Sequence, residues 1–205
     1  MVAKRIFDVF FSVLGIIFIF PLLVIIAVII LLDSKGWFIY KQVRVGLNST
    51  QFNLFKFRTM KIGADKGSLL TIGNQDERIT RFGNFLRKYK LDELPQLFNI
   101  LIGDMSFVGP RPEVSKYVAL YNQVQLRILT VKPGLTDWAS IDYIDEAQLL
   151  ARAKNPEAFY VEYIIPQKIA QNLRYIEHNN LWIDLKIILL TIKSILSKLF
   201  SKPQS

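Results

Sequence analysis

The chain has 205 residues, 51% of them hydrophobic and 21% charged, with 26 Lys and Arg against 17 Asp and Glu for a formal charge of +9. That length suits one compact core and is short for two. A mean hydropathy of +0.27 beside a pI near 9.7 means that apolar and basic residues are segregated along the chain. The absence of cysteine excludes a disulfide scaffold, a thiolate nucleophile and thiolate metal sites, and the single histidine, His178, excludes a histidine-rich metal cluster. The basic excess suits anionic lipid, a phosphorylated substrate or nucleic acid.

Val9 to Leu32 is a run of 24 residues without a charge, enough for a helix to reach across the hydrocarbon core of a bilayer. No other stretch is comparable, which argues against a polytopic transporter. Lys4 and Arg5 precede the run and Lys35, Lys41 and Arg44 follow it, so both flanks favour the cytoplasmic side. Pro21 in the middle removes a helix hydrogen bond and predicts a kink. These features favour a re-entrant membrane hairpin of two half-helices over a straight span, provided that the backbone near Pro21 finds partners. The run is too long for a cleaved leader, and no small-residue cleavage site follows it.

Trp37 to Val45 and Gln51 to Met60 are rich in aromatic and β-branched residues and flank Gly46-Leu47-Asn48-Ser49, the pattern of a small β-hairpin. Alternation puts Phe52, Leu54, Lys56 and Arg58 on one face, with two cations side by side. Lys61 to Glu77 reads as a mobile surface loop. Asp76 to Lys90 reads as a helix, and Leu91 to Pro95 as a second helical start with proline in its first turn. Gly109-Pro110-Arg111-Pro112 and Lys132-Pro133-Gly134 are irregular, whereas Ala147 to Ala153 and Gln167 to Glu177 read as helices. Trp182 to Phe200 is a basic amphipathic helix with Asp184, Thr191, Ser194 and Lys198 on one side. It either lies in the headgroup plane or packs its apolar face on the domain. The tail 201–205 reads as frayed.

The expected fold class is α+β, mainly helical. Residues 1–35 form the membrane-associated element, 36–180 the cytoplasmic catalytic domain, and 181–205 the amphipathic surface helix and tail, as one integrated unit without repeats or a dividing linker.

Asp92 and Glu93 are adjacent carboxylates ahead of an apolar stretch. Acidic residues in a first helical turn often do no more than complement the dipole. Neighbours on a helix point about 100° apart, so the two suit successive tasks rather than a symmetric pair. Lys56, Arg58, Arg87, Lys88 and Arg111 supply cations that could neutralise a diphosphate. A carboxylate among them could attack phosphorus, usually beside a divalent metal. Each cation taken singly is an ordinary solvated surface charge.

The ordered series Lys4-Arg5-Ile6-Phe7-Asp8, the apolar run with its central proline, Lys56-Phe57-Arg58-Thr59-Met60, Arg78-Ile79-Thr80-Arg81-Phe82-Gly83, Leu91-Asp92-Glu93-Leu94-Pro95-Gln96-Leu97, Gly103 to Pro112 (GDMSFVGPRP) and Lys132-Pro133-Gly134 resembles the small monotopic phosphoglycosyl transferases, bacterial sugar transferases. The resemblance implies a re-entrant membrane helix and transfer of a phosphosugar from a UDP-sugar donor to a polyprenol phosphate (undecaprenyl phosphate) acceptor, with release of UMP. It further implies Asp92 as nucleophile forming a covalent phosphosugar intermediate, Glu93 assisting proton movement, and Mg2+ near Asp92. Lys56, Arg58 and Arg87 are implied as phosphate-binding residues, and Arg111 between Pro110 and Pro112 as nucleotide-binding. The setting implied is the bacterial inner membrane, with the catalytic domain facing the cytoplasm and membrane lipids as partners, at the start of surface glycan synthesis. Nucleic acid is not an expected partner, and a homo-oligomer stays open. Two departures from the family pattern stand out. Phe20 replaces the serine common before the proline, and Leu135-Thr136-Asp137-Trp138-Ala139-Ser140 stands where Ile-Thr-Gly-Trp-Ala-Gln is usual. The residues alone also allow a non-catalytic membrane module whose basic face, Lys56 to Arg111, binds anionic lipid or phosphorylated partners.

Overall fold

A computed structural model describes residues 2–64, 70–73 and 76–200, with side chains to residue 197. Much of the loop expected over 61–77, and all of the tail 201–205, lie outside the described residues.

The first element is α1 (Val2–Asp33), one helix that runs through Pro21. The expected division into two half-helices is not seen: proline is accommodated inside the helix. Packing along the helix accounts for its continuity. Near the start, the Arg5 guanidinium donates to the carbonyls of Ile100 and Leu101 at 2.6 and 2.7 Å, and buried Asp8 accepts from Ser106 Oγ and Phe107 N, both at 3.1 Å. In the middle, Ile16 and Ile19 pack on Leu54, Leu97 and Ile100. Towards the end, Leu23, Ile26 and Ile30 are buried with Phe57 and Leu86. Both ends therefore rest on the same domain. The opposite face carries Phe10, Ile17, Phe18, Phe20, Ile25 and Leu32, all exposed.

The hairpin pairs β1 (Ile39–Val45) with β2 (Gln51–Phe57) antiparallel, with Tyr40 opposite Lys56. Left-handed Asn48 and Ser49 turn the chain between the strands. Next come α2 (Arg81–Lys88), capped by Thr80 Oγ1 accepting from Gly83 N at 2.9 Å, and a 3-10 turn at Leu91–Glu93. Gly83 allows a close approach, because a Cβ there would collide with the carbonyl of Thr59. The turn leads into α3 (Gln96–Ile102), so Pro95 stands just ahead of that helix. Buried Asn99 on α3 holds β2 in place: its Nδ2 donates to Asn53 O at 2.8 Å, and its Oδ1 accepts from Phe55 N at 2.9 Å.

Strand β3 (Ser106–Val108) pairs in parallel with β4 (Gly134–Thr136), and Gly109 and Gly134 meet where a Cβ on either would strike the other segment's backbone. Between them lie α4 (Ser115–Val118) and a 3-10 stretch. Short α5 (Trp138–Asp142), α6 (Glu146–Arg152) and α7 (Pro156–Phe159) follow, then a π-turn at Tyr160–Ile164 that opens into α8 (Ile165–His178). Tyr117, Ile128, Leu150, Tyr160, Ile164 and Ile169 form the largest core cluster. The mainly helical expectation with a small hairpin holds.

The last helix, α9 (Leu181–Phe200), has the sequence's amphipathic pattern facing the other way round. Its polar stripe turns inward. Asp184 is buried against Lys4 and the Tyr175 hydroxyl (2.6 Å for the latter), and Thr191 Oγ1 lies 2.7 Å from Thr136 Oγ1. Trp182, Leu185, Leu189, Ile192 and Leu196 are exposed. The inner side thus mixes a buried salt bridge and a hydroxyl pair with apolar contacts, because Ile187 is fully buried against Val108 and Tyr175 with Ile183 and Ile188 beside it.

Candidate active site

The site is centred on the turn after α2. Lys90 adopts the left-handed conformation (φ 56°), which sharply reverses the chain and presents Asp92 and Glu93 in a single 3-10 turn. Lys56 reaches the turn from β2, and Arg111 from the irregular segment after β3. Asp92, Glu93, Lys56, Arg87 and Arg111 line a cleft of about 1540 Å³.

The two carboxylates differ. Glu93 is fully engaged: the Arg111 guanidinium donates to both its oxygens, Nη1 at 3.1 Å to Oε2 and Nη2 to Oε1, and Lys56 Nζ donates to Oε1 at 3.3 Å. Burial alone would raise the Glu93 carboxyl, but Arg111, Lys56 and Lys90 hold it well below the usual range. Asp92 is buried and its Oδ1 has no hydrogen-bond partner among the described residues. Desolvation, then the charge of Glu93, raises the Asp92 carboxyl, with Lys56, Arg87 and Lys90 opposing. The result is one ionised carboxylate that organises cations and a second, under-satisfied one facing the cleft. Lys56 is itself pushed down by burial, against the pull of Glu93.

The other expected residues divide. Arg87 lines the cleft, its Nε donating to Thr59 Oγ1 at 2.8 Å and Nη1 to Thr71 Oγ1 at 2.9 Å. Pro110 and Pro112 are buried, and their carbonyls accept from Gly134 N at 3.0 Å and Arg44 Nη1 at 3.1 Å, which holds Arg111 between two fixed points. Arg58 does not stand beside Lys56. Strand β2 ends at Phe57, and the Arg58 guanidinium donates to Ser34 Oγ and to the carbonyls of Ser34, Lys35, Gly36 and Trp37 at 2.7–3.1 Å. Those groups follow the end of α1 and offer five acceptors, so the guanidinium closes that end of the helix, although Arg58 also lines the cleft.

Asp137 was not singled out by the sequence as a site residue, although it is almost wholly buried in the cleft wall. Its Oδ1 caps α5 through Ser140 N at 2.6 Å, and its Oδ2 accepts from Arg111 N at 3.2 Å and Asn172 Nδ2 at 2.8 Å. An N-cap at Asp137 is legible locally. Its tie to Arg111 joins distant segments and leaves no local trace. Glu113, held by Arg44 at 2.9 Å and by the Tyr160 hydroxyl, likewise braces the segment after Pro112.

Comparison with known proteins matches residues 1–198 to the family described as bacterial sugar transferase. The chain belongs to that family. It is 37% identical over 202 residues to the UDP-glucose:undecaprenyl-phosphate glucose-1-phosphate transferase of Xanthomonas campestris pv. campestris, covering 97% of this chain and 40% of that protein. Identity to the enzyme of the same name from Caulobacter vibrioides is 36% over 198 residues, covering 95% of this chain and 70% of that one. The sugar transferase EpsL of Bacillus subtilis (strain 168) is 34% identical over 197 residues, covering 96% of this chain and 88% of that one. The chain thus spans under half the length of the Xanthomonas relative and most of the length of the Bacillus one.

Proposed function

We propose that this protein transfers a phosphosugar from a UDP-sugar to undecaprenyl phosphate, releasing UMP and leaving a lipid-linked diphosphosugar. The observation that carries the reading is the unpartnered Oδ1 of buried Asp92 beside an ion-paired Glu93, in the cleft of a chain from the sugar transferase family. The names of the Xanthomonas and Caulobacter relatives supply the donor and acceptor classes.

The Asp92 carboxylate attacks the β-phosphorus. The bond from that phosphorus to the oxygen bridging the α-phosphate breaks, and UMP leaves with the electron pair. A phosphate oxygen of the acceptor then attacks the aspartyl phosphosugar, and Asp92 leaves as carboxylate. Two displacements let a soluble donor and a membrane-embedded acceptor use one site in turn. Arg111, Lys56 and Arg87 neutralise the diphosphate as it arrives. Its oxygens compete with Glu93 for Arg111 and Lys56, which loosens the hold on Glu93 and lets it take a proton in the second half-reaction.

A Mg2+ ion fits the donor set. Asp92 Oδ1 is a free carboxylate oxygen, and no cluster of three or more candidate ligands exists among the described residues, so the remaining ligands would be substrate phosphates and water, the usual Mg2+ arrangement. Bound there, the ion would shield phosphate charge.

The exposed apolar faces of α1 and α9 support a place in the cytoplasmic leaflet of the inner membrane. The deciding experiment is UMP release by detergent-solubilised protein with Mg2+, undecaprenyl phosphate and a panel of UDP-sugars, beside Asp92→Asn. Release lost in the variant supports the transfer. Release that persists removes the nucleophile from the account, and no release with binding of anionic lipid insensitive to Asp92 supports the non-catalytic module instead.

A further inference from the structure

Two polar atoms in the cleft wall are left over once the fold and the carboxylate pair have taken theirs. Asn172 on α8 is 4% exposed, and among the described residues its Oδ1 has no hydrogen-bond partner; Ser140 Oγ on α5 is also buried and without a partner among them. Both residues line the same cleft as Asp92. Leaving such atoms unbonded costs stability, so a ligand that completes them is favoured.

The orientation of Asn172 is fixed by its neighbour. Its Nδ2 donates to Asp137 Oδ2 at 2.8 Å, and a flipped amide would set its oxygen against that carboxylate. The free atom is therefore an acceptor, next to a buried Asp137. A phosphate, which offers only acceptors and negative charge, is the wrong ligand. A neutral group that donates a hydrogen bond is the right one, and Ser140 Oγ can give or take the neighbouring bond. Position narrows the choice further. Asp137 also accepts from Arg111 N, and the Arg111 side chain grips Glu93 next to Asp92, so this wall adjoins the point of attack. The group carried by the attacked phosphorus is the sugar, whereas the nucleoside leaves on the far side of the α-phosphate.

We propose that Ser140 and Asn172 form a subsite for hydroxyl or amide N–H groups of the donor sugar and so discriminate between donors, an inference that rests on the transfer reading above. A site built to hydrogen-bond a substrate hydroxyl discriminates strongly against an analogue that lacks or misplaces it.

The test uses the full chain in detergent with Mg2+ and undecaprenyl phosphate, and compares kcat/KM for the preferred UDP-sugar with that for its epimer at one hydroxyl. Ser140→Ala is the main variant, since its Oγ has no hydrogen-bond partner among the described residues; Asn172→Ala is the second. Loss of one such hydrogen bond is worth roughly tenfold, so the preference between the epimers is expected to fall by about that factor while inhibition by UDP, which has no sugar, is unchanged. If both donors lose equally, or UDP inhibition weakens in step, the subsite does not read the sugar and the proposal is overturned. Absence of UMP release from the unaltered protein with every donor contradicts the transfer reading instead. Calorimetry then decides the subsite: affinity for a UDP-sugar above that for UDP, lost in Ser140→Ala, supports it, and equal affinities overturn it.

Discussion

Glu93 and Arg111 form a two-pronged ion pair, one carboxylate oxygen to each terminal nitrogen of the guanidinium, and the Glu93 side chain is only 12% exposed. The pair ties the Asp92 turn to the segment after β3. Arg111→Met strands a buried carboxylate with Lys56 as its only direct ion-pair partner among the described residues, a loss of about 3–5 kcal/mol in buried cases of this kind. Arg111→Lys keeps the charge but not the fork and is expected to cost less. Urea unfolding in detergent checks the order; equal stability of Arg111→Met and the parent protein contradicts it.

The same pair sets opposite pH signatures for the two acids. Glu93 is held below its ordinary 4.5, so its contribution to stability is full above that value and is lost only as pH falls through the lower folded value. Asp92 is raised above 3.8, so its ionisation removes stability as pH rises from 3.8 through the folded value. Asp92→Asn is accordingly expected to raise the melting temperature at pH 8, with the margin narrowing towards acid. Melting curves from pH 8 down to about 4 measure it, and a margin that grows as pH falls contradicts it.

The Arg58 guanidinium closes the end of α1. Arg58→Ala forfeits five charge-assisted contacts that follow the helix, and a net loss of about 3 kcal/mol is expected. The variant that remains folded should show an unchanged KM for the donor. A raised KM with undiminished melting temperature returns Arg58 to the substrate.

The outer face of α9 is apolar, with Leu189 66% and Ile192 50% exposed. Charges on these exposed side chains leave the helix intact, so Leu189→Glu with Ile192→Glu is expected to weaken flotation with liposomes while far-UV circular dichroism stays the same. Undiminished flotation would place that face in water.

Local signals carried far in this chain. The aromatic and β-branched runs around Gly46 to Ser49 announced the hairpin, and the start read at Leu91 to Pro95 leads into α3, whereas the helix read from Asp76 begins only at Arg81. The motif order pointed to Asp92, Glu93, Lys56 and Arg111, and these four do meet. What escaped was decided by distant partners. Alternation along β2 put Arg58 beside Lys56, but the strand ends one residue before Arg58, and the open carbonyls past Asp33 draw it away. Pro21 suggested a break, yet contacts at Arg5, Ile16, Ile26 and Ile30 hold α1 as one helix. The polar stripe of α9 left open whether the helix lies in the headgroup plane or on the domain, and Lys4, Tyr175 and Thr136 meet it inside. Asp137 joins α5, α8 and Arg111, three segments whose proximity no periodicity reveals.

The central claim is that the Asp92 carboxylate takes the phosphosugar covalently. Its most direct test is intact-protein mass spectrometry after incubation with UDP-sugar and Mg2+ but no lipid acceptor, followed by peptide mapping. The account predicts a mass increase of one phosphosugar on the peptide containing Asp92, discharged by added undecaprenyl phosphate and absent in Asp92→Asn. UMP formation that requires the lipid acceptor, with no mass increase at any time, would contradict it and leave a direct single displacement in its place.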